Sequence, residues 1–243
     1  MKFLCIIPVF NEENNIKILL DNLNIFKKQN NLNIDFLFIN CNSVDNSLKL
    51  IQSFNFNVIS LRKNKGVGYA LLVGLKIASK NNYDVLIHIA GNSKMSPFDI
   101  ERVIEPITSE DIDFVSGTRF KEKKNYENNP LFRIISIKLL SYIFSFLFKK
   151  KITDATCGFR ALKIKKIYKN YKLFNKKKYY TYGYEYYSYG KILLSEHFNS
   201  CEVSVKMDYR KRGKNSKIRP IIDWFPIIIG YLEALIDKQK LLK

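Results

Sequence analysis

Residues 1–118 alternate short apolar segments with segments in which apolar residues recur at helical spacing. In Glu12–Lys28, for example, the apolar residues from Ile16 to Phe26 fall on one helical stripe. This alternation predicts an α/β fold with a mostly parallel sheet flanked by helices, because parallel strands need crossover connections that are usually helical. The predicted strands are Lys2–Pro8, Ile34–Cys41, Asn57–Leu61, Asp84–Ala90 and Ile112–Thr118. The predicted helices are Glu12–Lys28, Asp45–Ser53, Val67–Lys80 and Pro97–Ile107.

The second half of the chain contains two apolar segments with embedded polar residues. Leu131–Phe148 carries two charged residues and three serines and is followed by three lysines. Its polar residues occupy about half of a helical wheel, so we expect an amphipathic helix that lies in a membrane interface; an ordinary buried helix is the alternative. The Trp and Phe residues of Ile221–Ile236 would suit the same head-group boundary.

The length of 243 residues fits one large domain. We place the main domain at residues 1–220 and a C-terminal amphipathic helix at residues 221–243. The N-terminal apolar run is too short for a signal peptide, and there is no stretch of about 20 uncharged apolar residues, so no membrane span is predicted. The four cysteines form no C-x-x-C pair, which argues against a zinc site or a disulfide framework and favours a cytoplasmic location.

The chain is strongly basic, with 41 Lys and Arg against 22 Asp and Glu and a formal net charge of +19. Such a field attracts anions, including acidic lipid head groups, phosphorylated ligands and nucleic acid. The Lys- and Asn-rich usage could equally reflect genome composition, with the lysines solvating the surface. No RRM, KH or helix-turn-helix signature is present, so nucleic acid is not predicted as a partner.

Short polar loops rich in turn formers follow the first four predicted strands. They are Pro8–Glu12, Asn40–Ser43, Asn64–Gly68 and Ala90–Lys94. Open α/β sheets bind ligands at the carboxyl ends of their strands, so four such loops on one edge predict a nucleotide pocket. Each loop alone is weak evidence, because G-x-G after a strand also arises by chance.

In their order and spacing these loops resemble the motifs of family 2 glycosyltransferases, most of all the dolichyl-phosphate mannose synthase and polyprenyl-phosphate glycosyltransferase branch. The resemblance implies a GT-A fold, a UDP- or GDP-linked sugar donor and an inverting transfer. Pro8–Glu12 matches the family's P-x-[YF]-N-E, whereas Asn40–Asp45 replaces its D-D-G-S-x-D. The donor-binding residues that the resemblance implies are Pro8, Asn11, Glu12, Asn40, Asn42, Asn64, Gly66, Gly68 and Asn92.

The largest departure from the family is at its D-x-D motif, which binds Mg²⁺ or Mn²⁺ across the donor diphosphate. The corresponding positions are Ala90 and Asn92, with Lys94 two residues further on. Hard divalent cations prefer carboxylate oxygens, so Asn92 is at most a weak metal ligand. We predict that the Lys94 ammonium takes over the charge of the ion against the diphosphate. A relative that has lost catalysis is the alternative.

Three later segments extend the resemblance. Gly117–Phe120 is similar to the family's G-[ST]-R-[FY], and Asp154–Arg160 to its D-x-x-x-G-F-R. Arg210–Lys217 is similar to R-x-G-x-S-K and holds five cations in eight residues, a good phosphate cradle or a general anion patch. We assign catalysis to Asp154, Lys94 and Arg212. We assign the acceptor phosphate to Arg119, Arg133, Ser136, Arg210 and Lys217.

A lipid-phosphate acceptor fits this set of cations. A phosphate monoester is anionic near neutral pH and needs no general base, so the protein must hold two anions together and stabilise the leaving diphosphate. We expect transfer to a polyprenyl-phosphate-type lipid by a chain bound peripherally to the inner face of an anionic membrane. Two alternatives stay open: transfer to a soluble or protein-linked hydroxyl, and a non-catalytic relative that serves as a binding subunit.

Overall fold

The computed structural model describes residues 1–126, 129–208 and 224–242. Within these ranges seven strands form one sheet, and its order is β3-β2-β1-β4-β6-β5-β7. Those strands are β1 (Phe3–Val9), β2 (Ile34–Asn40), β3 (Asn57–Ser60), β4 (Val85–His88), β5 (Phe114–Thr118), β6 (Arg160–Lys163) and β7 (Ser200–Ser204). Strands β1 to β4 are parallel, whereas β6 is antiparallel to its neighbours β4 and β5. The predicted α/β fold with a mostly parallel sheet is therefore confirmed.

Helices cover both faces of the sheet. In the part of the chain that the structure describes, they are α1 (Glu13–Gln29), α2 (Ser47–Ser53), α3 (Val67–Lys80), α4 (Ile100–Ser109), α5 (Leu131–Phe148), α6 (Ile164–Lys169), α7 (Tyr171–Phe174), α8 (Gly183–Leu193) and α9 (Trp224–Ile236). Helices α1, α2 and α4 contribute to the core on one face, and α3, α5, α6, α8 and α9 to the core on the other. The predicted stripe of α1, from Ile16 to Phe26, is at most 1% exposed.

Helix α9 contributes buried residues to the same core as α3, α5, α6 and α8. It packs against α8, in which every residue is buried. The two helices approach closely at glycines: a Cβ on Gly190 would lie 2.6 Å from Ala234 Cβ, and one on Gly230 would lie 3.0 Å from Tyr186 Cβ. The predicted boundary at residue 220 lies outside the described residues, but the helix that follows packs on the main domain and is not a separate appendage.

The outer edge of β7 is covered by side chains. Arg102 donates to the carbonyl of Ser204 at 3.2 Å, and the Lys121 ammonium donates to the carbonyl of Glu202. Within the described residues β7 is the last strand on this side of the sheet, and these bonds satisfy backbone acceptors on its outer edge.

Candidate functional site

The loops that follow β1 and β2 are fastened to each other by hydrogen bonds. Asn11 has a left-handed backbone with φ 50°; its N–H donates to Ser43 Oγ at 3.0 Å, and its side-chain oxygen accepts from the Val44 N–H at 2.9 Å. The N–H of Glu12, which is nearly buried, donates to Ser47 Oγ at 2.7 Å. The two loops thus form a continuous polar rim at the carboxyl edge of the sheet.

Two residues of this rim that are predicted to bind the nucleotide-sugar donor have different surroundings. Asn40 is 3% exposed; its side-chain oxygen accepts from the Ser43 N–H at 3.0 Å, and its Nδ2 donates to Ser60 Oγ at 3.1 Å. These contacts tie the ends of β2 and β3 together, and the assignment of Asn40 to the donor stays a prediction. Asn42 is exposed and has φ 62°, which leaves its assignment to the donor as a prediction.

The loop after β4 closes against the end of β1. The Gly91 N–H donates to the Pro8 carbonyl at 3.2 Å, and a Cβ on Gly91 would lie 2.6 Å from Val9 Cγ2. Ser93, with φ 55°, donates its hydroxyl to the Asn15 carbonyl at 2.5 Å. The structure therefore brings the predicted loops after β1, β2 and β4 together on one edge.

Lys94 is half-buried in the loop after β4. Its N–H donates to Asn92 Oδ1 at 3.2 Å, and its carbonyl accepts from the Asp208 N–H at 3.1 Å. The chain therefore passes Lys94 two residues before the basic segment begins. The predicted phosphate ligands of that segment, Arg210, Arg212 and Lys217, lie outside the described residues.

The side chains at this edge do not fit a hard divalent cation. Ala90 offers no ligand atom at the first position of the family's metal motif, and the Asn92 oxygen already accepts from Lys94. Across the described ranges no group of three or more His, Cys, Asp or Glu side chains is arranged to hold a metal ion. Mg²⁺ and Mn²⁺ are held mainly by carboxylate oxygens, which the loop after β4 lacks at Ala90 and Asn92.

The resemblance predicts that Gly66 and Gly68 bind the nucleotide-sugar donor. In the structure these glycines allow a neighbouring loop to approach closely. Gly66 has φ +100°, and a Cβ on it would lie 2.4 Å from the Tyr180 carbonyl oxygen; one on Gly68 would lie 2.5 Å from that of Thr181. The Gly68 N–H donates to the Thr181 carbonyl at 2.9 Å, and Asn64 Oδ1 accepts from the Gly66 N–H at 2.9 Å. These contacts show that the glycines fix the start of α3 against the loop at residues 179–181.

Arg119 and Asp154 form a buried, bidentate ion pair. Arg119 is 2% exposed and Asp154 0%; the Nε–Oδ2 distance is 2.6 Å and the Nη2–Oδ1 distance is 2.7 Å. Arg119 also donates to Thr156 Oγ1 at 2.6 Å. The sequence predicts Arg119 as an acceptor-phosphate ligand and Asp154 as a catalytic residue. In the structure the two charges pair with each other beneath the surface, and the roles assigned to both residues stay predictions.

Arg133 and Ser136, the other described candidates for the acceptor phosphate, lie three residues apart in α5 and share a helix face. Arg133 is half-buried, and Ser136 donates its hydroxyl to the carbonyl four residues earlier at 2.8 Å. The Lys138 ammonium lies 5.5 Å from the centre of the Phe120 ring. This half of α5 therefore lies beside the segment that contains Arg119.

The outward faces of α5 and α9 are apolar, and together we call them the α5–α9 apolar face. Although no membrane span is predicted from the sequence, α5 is long and apolar enough to cross a membrane, and 22% of it is buried. Phe132 of α5 stacks on Trp224 of α9, with ring centres 6.1 Å apart. The exposed residues of this face are Leu131, Phe132, Ile135, Leu139, Tyr142, Ile143, Phe146 and Leu147 on α5 and Phe225, Ile229, Leu232 and Ile236 on α9.

A buried polar cluster that the sequence analysis did not single out lies between β4, β6 and α8. A cavity of about 10 Å³ is lined by His88, Arg160 and Glu185 together with Tyr184 and Ser188. Burial, together with the charge of Arg160, lowers the pKa of His88 to about 3, and burial raises the pKa of Glu185. Two of these positions carried a sequence signal: Arg160, as the end of the D-x-x-x-G-F-R segment, and Glu185, where the resemblance implies an acidic residue beside the acceptor channel.

An open α/β sheet with polar loops converging at its carboxyl edge is the arrangement in which α/β enzymes bind their ligands. The profile described as Glycosyl transferase family 2 matches residues 4–171, and this chain belongs to that family. It is therefore a glycosyltransferase, as the motifs predict. The chain is 31% identical over 173 residues to the UDP-N-acetylglucosamine–dolichyl-phosphate N-acetylglucosaminyltransferase of Methanococcus voltae, which covers 64% of this chain and 67% of that relative.

Solved structures of two enzymes share the fold. Glucosyl-3-phosphoglycerate synthase from Mycobacterium tuberculosis, in complex with Mn²⁺, UDP-glucose and phosphoglyceric acid, superposes with a TM-score of 0.68 at 15% identity, covering 98% of this chain and 81% of that one. Mannosyl-3-phosphoglycerate synthase from Rubrobacter xylanophilus gives a TM-score of 0.66 at 14% identity, covering 97% and 73%. These likenesses confirm the predicted GT-A fold.

Proposed function

We propose that this glycosyltransferase transfers a sugar from a nucleotide-sugar donor to a lipid-phosphate acceptor while it lies on an anionic membrane surface. The observation that carries the proposal is the α5–α9 apolar face, which adjoins the predicted acceptor residues of α5. The name of the relative from Methanococcus voltae pairs a UDP-sugar with dolichyl phosphate, which supports the same classes of donor and acceptor here.

The packing of α5 favours a helix that lies on the membrane over one that crosses it. On one side of the helix Ile137, Phe144 and Phe148 are at most 6% exposed, and both phenylalanines lie in the hydrophobic core. On the other side Tyr142 and Phe146 are 74% and 78% exposed. A helix held along one side by its own domain presents only its other side to lipid. A contiguous exposed apolar surface, unlike single exposed apolar residues, is typical of a protein or membrane interaction site.

The charge next to this face fits anionic lipid. Lys149, Lys150 and Lys151 are all exposed directly after α5 ends. Basic residues beside an apolar face are attracted to acidic head groups, each contributing about 1 kcal/mol near the surface. The apolar residues and the lysines together would hold the domain with α5 in the interface.

In the proposed reaction an oxygen of the lipid phosphate attacks the anomeric carbon of the donor sugar. The new C–O bond forms as the bond to the diphosphate breaks, and the nucleoside diphosphate leaves with the electron pair. A single displacement inverts the anomeric centre. The protein's part is to hold the two anions together and to offset the charge on the leaving group. We assign the first task to Arg133 and Ser136 and the second to Lys94.

The assignment of Lys94 follows from the chemistry of the loop after β4. That loop presents an amide and an ammonium where a metal-binding relative would need carboxylates, and an ammonium can interact with diphosphate oxygens as a point charge. Asn42, Asn92 and the rim around Glu12 remain the proposed donor contacts. In this proposal the positive charge that stabilises the leaving diphosphate belongs to the Lys94 side chain and not to a bound metal ion.

Transfer from UDP- and GDP-sugars to a polyprenyl phosphate in anionic vesicles tests the proposal. We expect Lys94→Ala to lower kcat about 10²-fold or more, the loss typical of removing one group that stabilises a developing charge. Lys80→Ala, which removes an exposed ammonium at the far end of α3, is the matched control and should leave kcat unchanged. EDTA should have no effect. Chelator sensitivity reversed by Mn²⁺ would refute the role of Lys94, and equal turnover of a soluble hydroxyl acceptor without vesicles would refute the lipid acceptor.

A further inference from the structure

The two peptide units on either side of Ala155, next to the buried ion pair, are held by side chains of α5 and α9. The N–H of Ala155 donates to Ser141 Oγ of α5 at 2.9 Å. The carbonyl of Ala155 accepts from the Tyr231 hydroxyl of α9 at 2.9 Å. Ser141 is 3% exposed and Tyr231 is 0% exposed, so neither bond competes with bulk water.

The turn that contains Ala155 has no regular secondary structure. The Glu202 carboxylate accepts from the N–H groups of Thr153 and Asp154, and Ser141 and Tyr231 hold the residue that follows. On one side of Ala155, Asp154 engages Arg119; on the other, the carbonyl of Thr156 accepts from a hydroxyl of α8 at 3.3 Å. A change in the position of the Ala155 backbone would therefore be passed to the Asp154 carboxylate and the guanidinium bonded to it. The turn transmits the position of two helices to the ion pair.

The same two helices carry the α5–α9 apolar face. Ser141 is followed directly by Tyr142, which is 74% exposed, and Tyr231 is followed by Leu232, which is 39% exposed. Successive residues of a helix point in different directions, so each helix contacts the Asp154 turn on one side and the surroundings on the other. Both helices are packed as rigid elements, and a shift imposed on the outer side is carried to the inner side.

We propose that Ser141 and Tyr231 are positioning residues that couple lipid docking of the α5–α9 apolar face to the geometry of the Asp154–Arg119 pair. This inference rests on the proposed function. Neither residue touches a substrate. Binding of the apolar face to lipid fixes the relative positions of α5 and α9, and the two hydrogen bonds to Ala155 pass that arrangement to the turn. We therefore expect a higher kcat on a membrane than in solution, in addition to any effect of the membrane on the affinity for the acceptor.

The burial of Tyr231 is consistent with this role. Burial raises the pKa of its hydroxyl well above the ordinary value for tyrosine, so the group stays protonated and keeps donating to Ala155 at any physiological pH. The hydroxyl of Ser141 donates to the carbonyl of Ile137 at 2.8 Å, which leaves its oxygen oriented to accept from Ala155. The donor and acceptor directions of both contacts are thus fixed.

The test compares kcat on a polyprenyl phosphate in anionic vesicles with kcat on a short-chain, water-soluble prenyl phosphate without vesicles. The wild type should show a clear increase with vesicles. Tyr231→Phe removes only one hydroxyl and should reduce that increase about fivefold, the factor that corresponds to one neutral hydrogen bond. Ser141→Ala should act in the same direction. Tyr83→Phe removes a hydroxyl that donates to Asp35 Oδ2 at 2.6 Å, outside α5 and α9; it is the matched control and should behave as the wild type.

Vesicle co-sedimentation and the melting temperature separate the outcomes. The coupling is supported if Tyr231→Phe binds vesicles like the wild type and keeps its rate on the soluble acceptor but loses the increase. The coupling is refuted if the ratio of the two rates is unchanged, or if both rates fall together with stability. If the wild type neither binds vesicles nor uses either prenyl phosphate, the proposed function itself fails, and this inference fails with it.

Discussion

The polar rim after β1, β2 and β4 and the α5–α9 apolar face are built in different ways. The rim is closed by hydrogen bonds between consecutive βα loops: Asn11 bonds to Ser43 and Val44, 32 and 33 residues further along the chain, at one edge of the sheet. The apolar face joins two helices that are far apart in the sequence, and aromatic contacts such as Phe132 on Trp224 hold them side by side. Changes in the rim should therefore alter ligand binding locally, whereas changes behind the apolar face should spread through packing.

The largest expected effect concerns the ion pair behind the apolar face. Asp154→Asn leaves the buried Arg119 guanidinium without its counter-charge and should lower the free energy of unfolding by about 3–5 kcal/mol. Asp111→Asn is the control, because that carboxylate is 86% exposed in its pair with Lys163 and should cost less than about 1 kcal/mol. Urea unfolding measures both. Equal losses would contradict the assignment of the pair as a structural anchor.

The next effect concerns the start of α3, on the rim side. Gly68→Ala places a methyl group 2.5 Å from the Thr181 carbonyl oxygen and should lower the free energy of unfolding by about 2–3 kcal/mol. At Gly183 the nearest atom to an added Cβ is a ring carbon of Tyr179 at 3.3 Å, so Gly183→Ala should stay within about 1 kcal/mol of the wild type. Thermal unfolding compares the two variants, and a Gly68→Ala protein as stable as the wild type would show that the loop at residues 179–181 moves away freely.

A third effect concerns the polar cluster between the two regions and depends on pH. The folded-state pKa of His88 is about 3, below the ordinary value of 6.5, so the unfolded state binds the proton first. The stability that this difference provides is present above about pH 6.5 and is lost as the pH falls toward 3. Between pH 7 and pH 4.5 the loss attributable to His88 should be about 2 kcal/mol.

Urea unfolding of the wild type and of His88→Gln at both pH values isolates this loss, since other groups titrate equally in the two proteins. The wild type should lose more stability than the variant between the two pH values. Parallel pH profiles would mean that His88 becomes protonated without cost in the folded state.

The smallest expected effect concerns the charged end of α5. Lys150→Gln should weaken binding to anionic vesicles by about 1 kcal/mol, or roughly fivefold, and should not change the weaker binding to neutral vesicles. Lys80→Gln removes the same charge from the exposed end of α3 and should have little effect. Co-sedimentation measures the affinities, and an identical loss in both variants would assign the attraction to total charge and not to this surface.

The sequence predicted the rim side of the molecule better than the other side. The predicted strand Lys2–Pro8 corresponds to β1 at Phe3–Val9, and the stripe of α1 is buried as expected. The loops after β1, β2 and β4 converge as the α/β pattern requires. Local periodicity and turn chemistry determine these features, so a single sequence contains enough information to predict them.

The features that were missed or assigned differently depend on contacts that periodicity does not encode. Strands β6 and β7 are four and five residues long and gain their place only by pairing with β4 and β5. Arg119 and Asp154 were both singled out, but the 35 residues between them gave no sign that each would be the partner of the other. Similarly, the polar residues of α5 predicted an amphipathic helix, but the pattern gave no sign that Ser141 would be buried against the Asp154 turn.

An exposed apolar surface and the unpaired edge of a sheet both favour association between copies of a protein. Among the described residues, β7 is the last strand on its side of the sheet, and two of its backbone oxygens accept from the side chains of Arg102 and Lys121. An incoming strand would have to displace these bonds, so pairing of two copies along β7 is disfavoured. The α5–α9 apolar face carries no such protection, and we expect association between copies to begin there when no membrane is present.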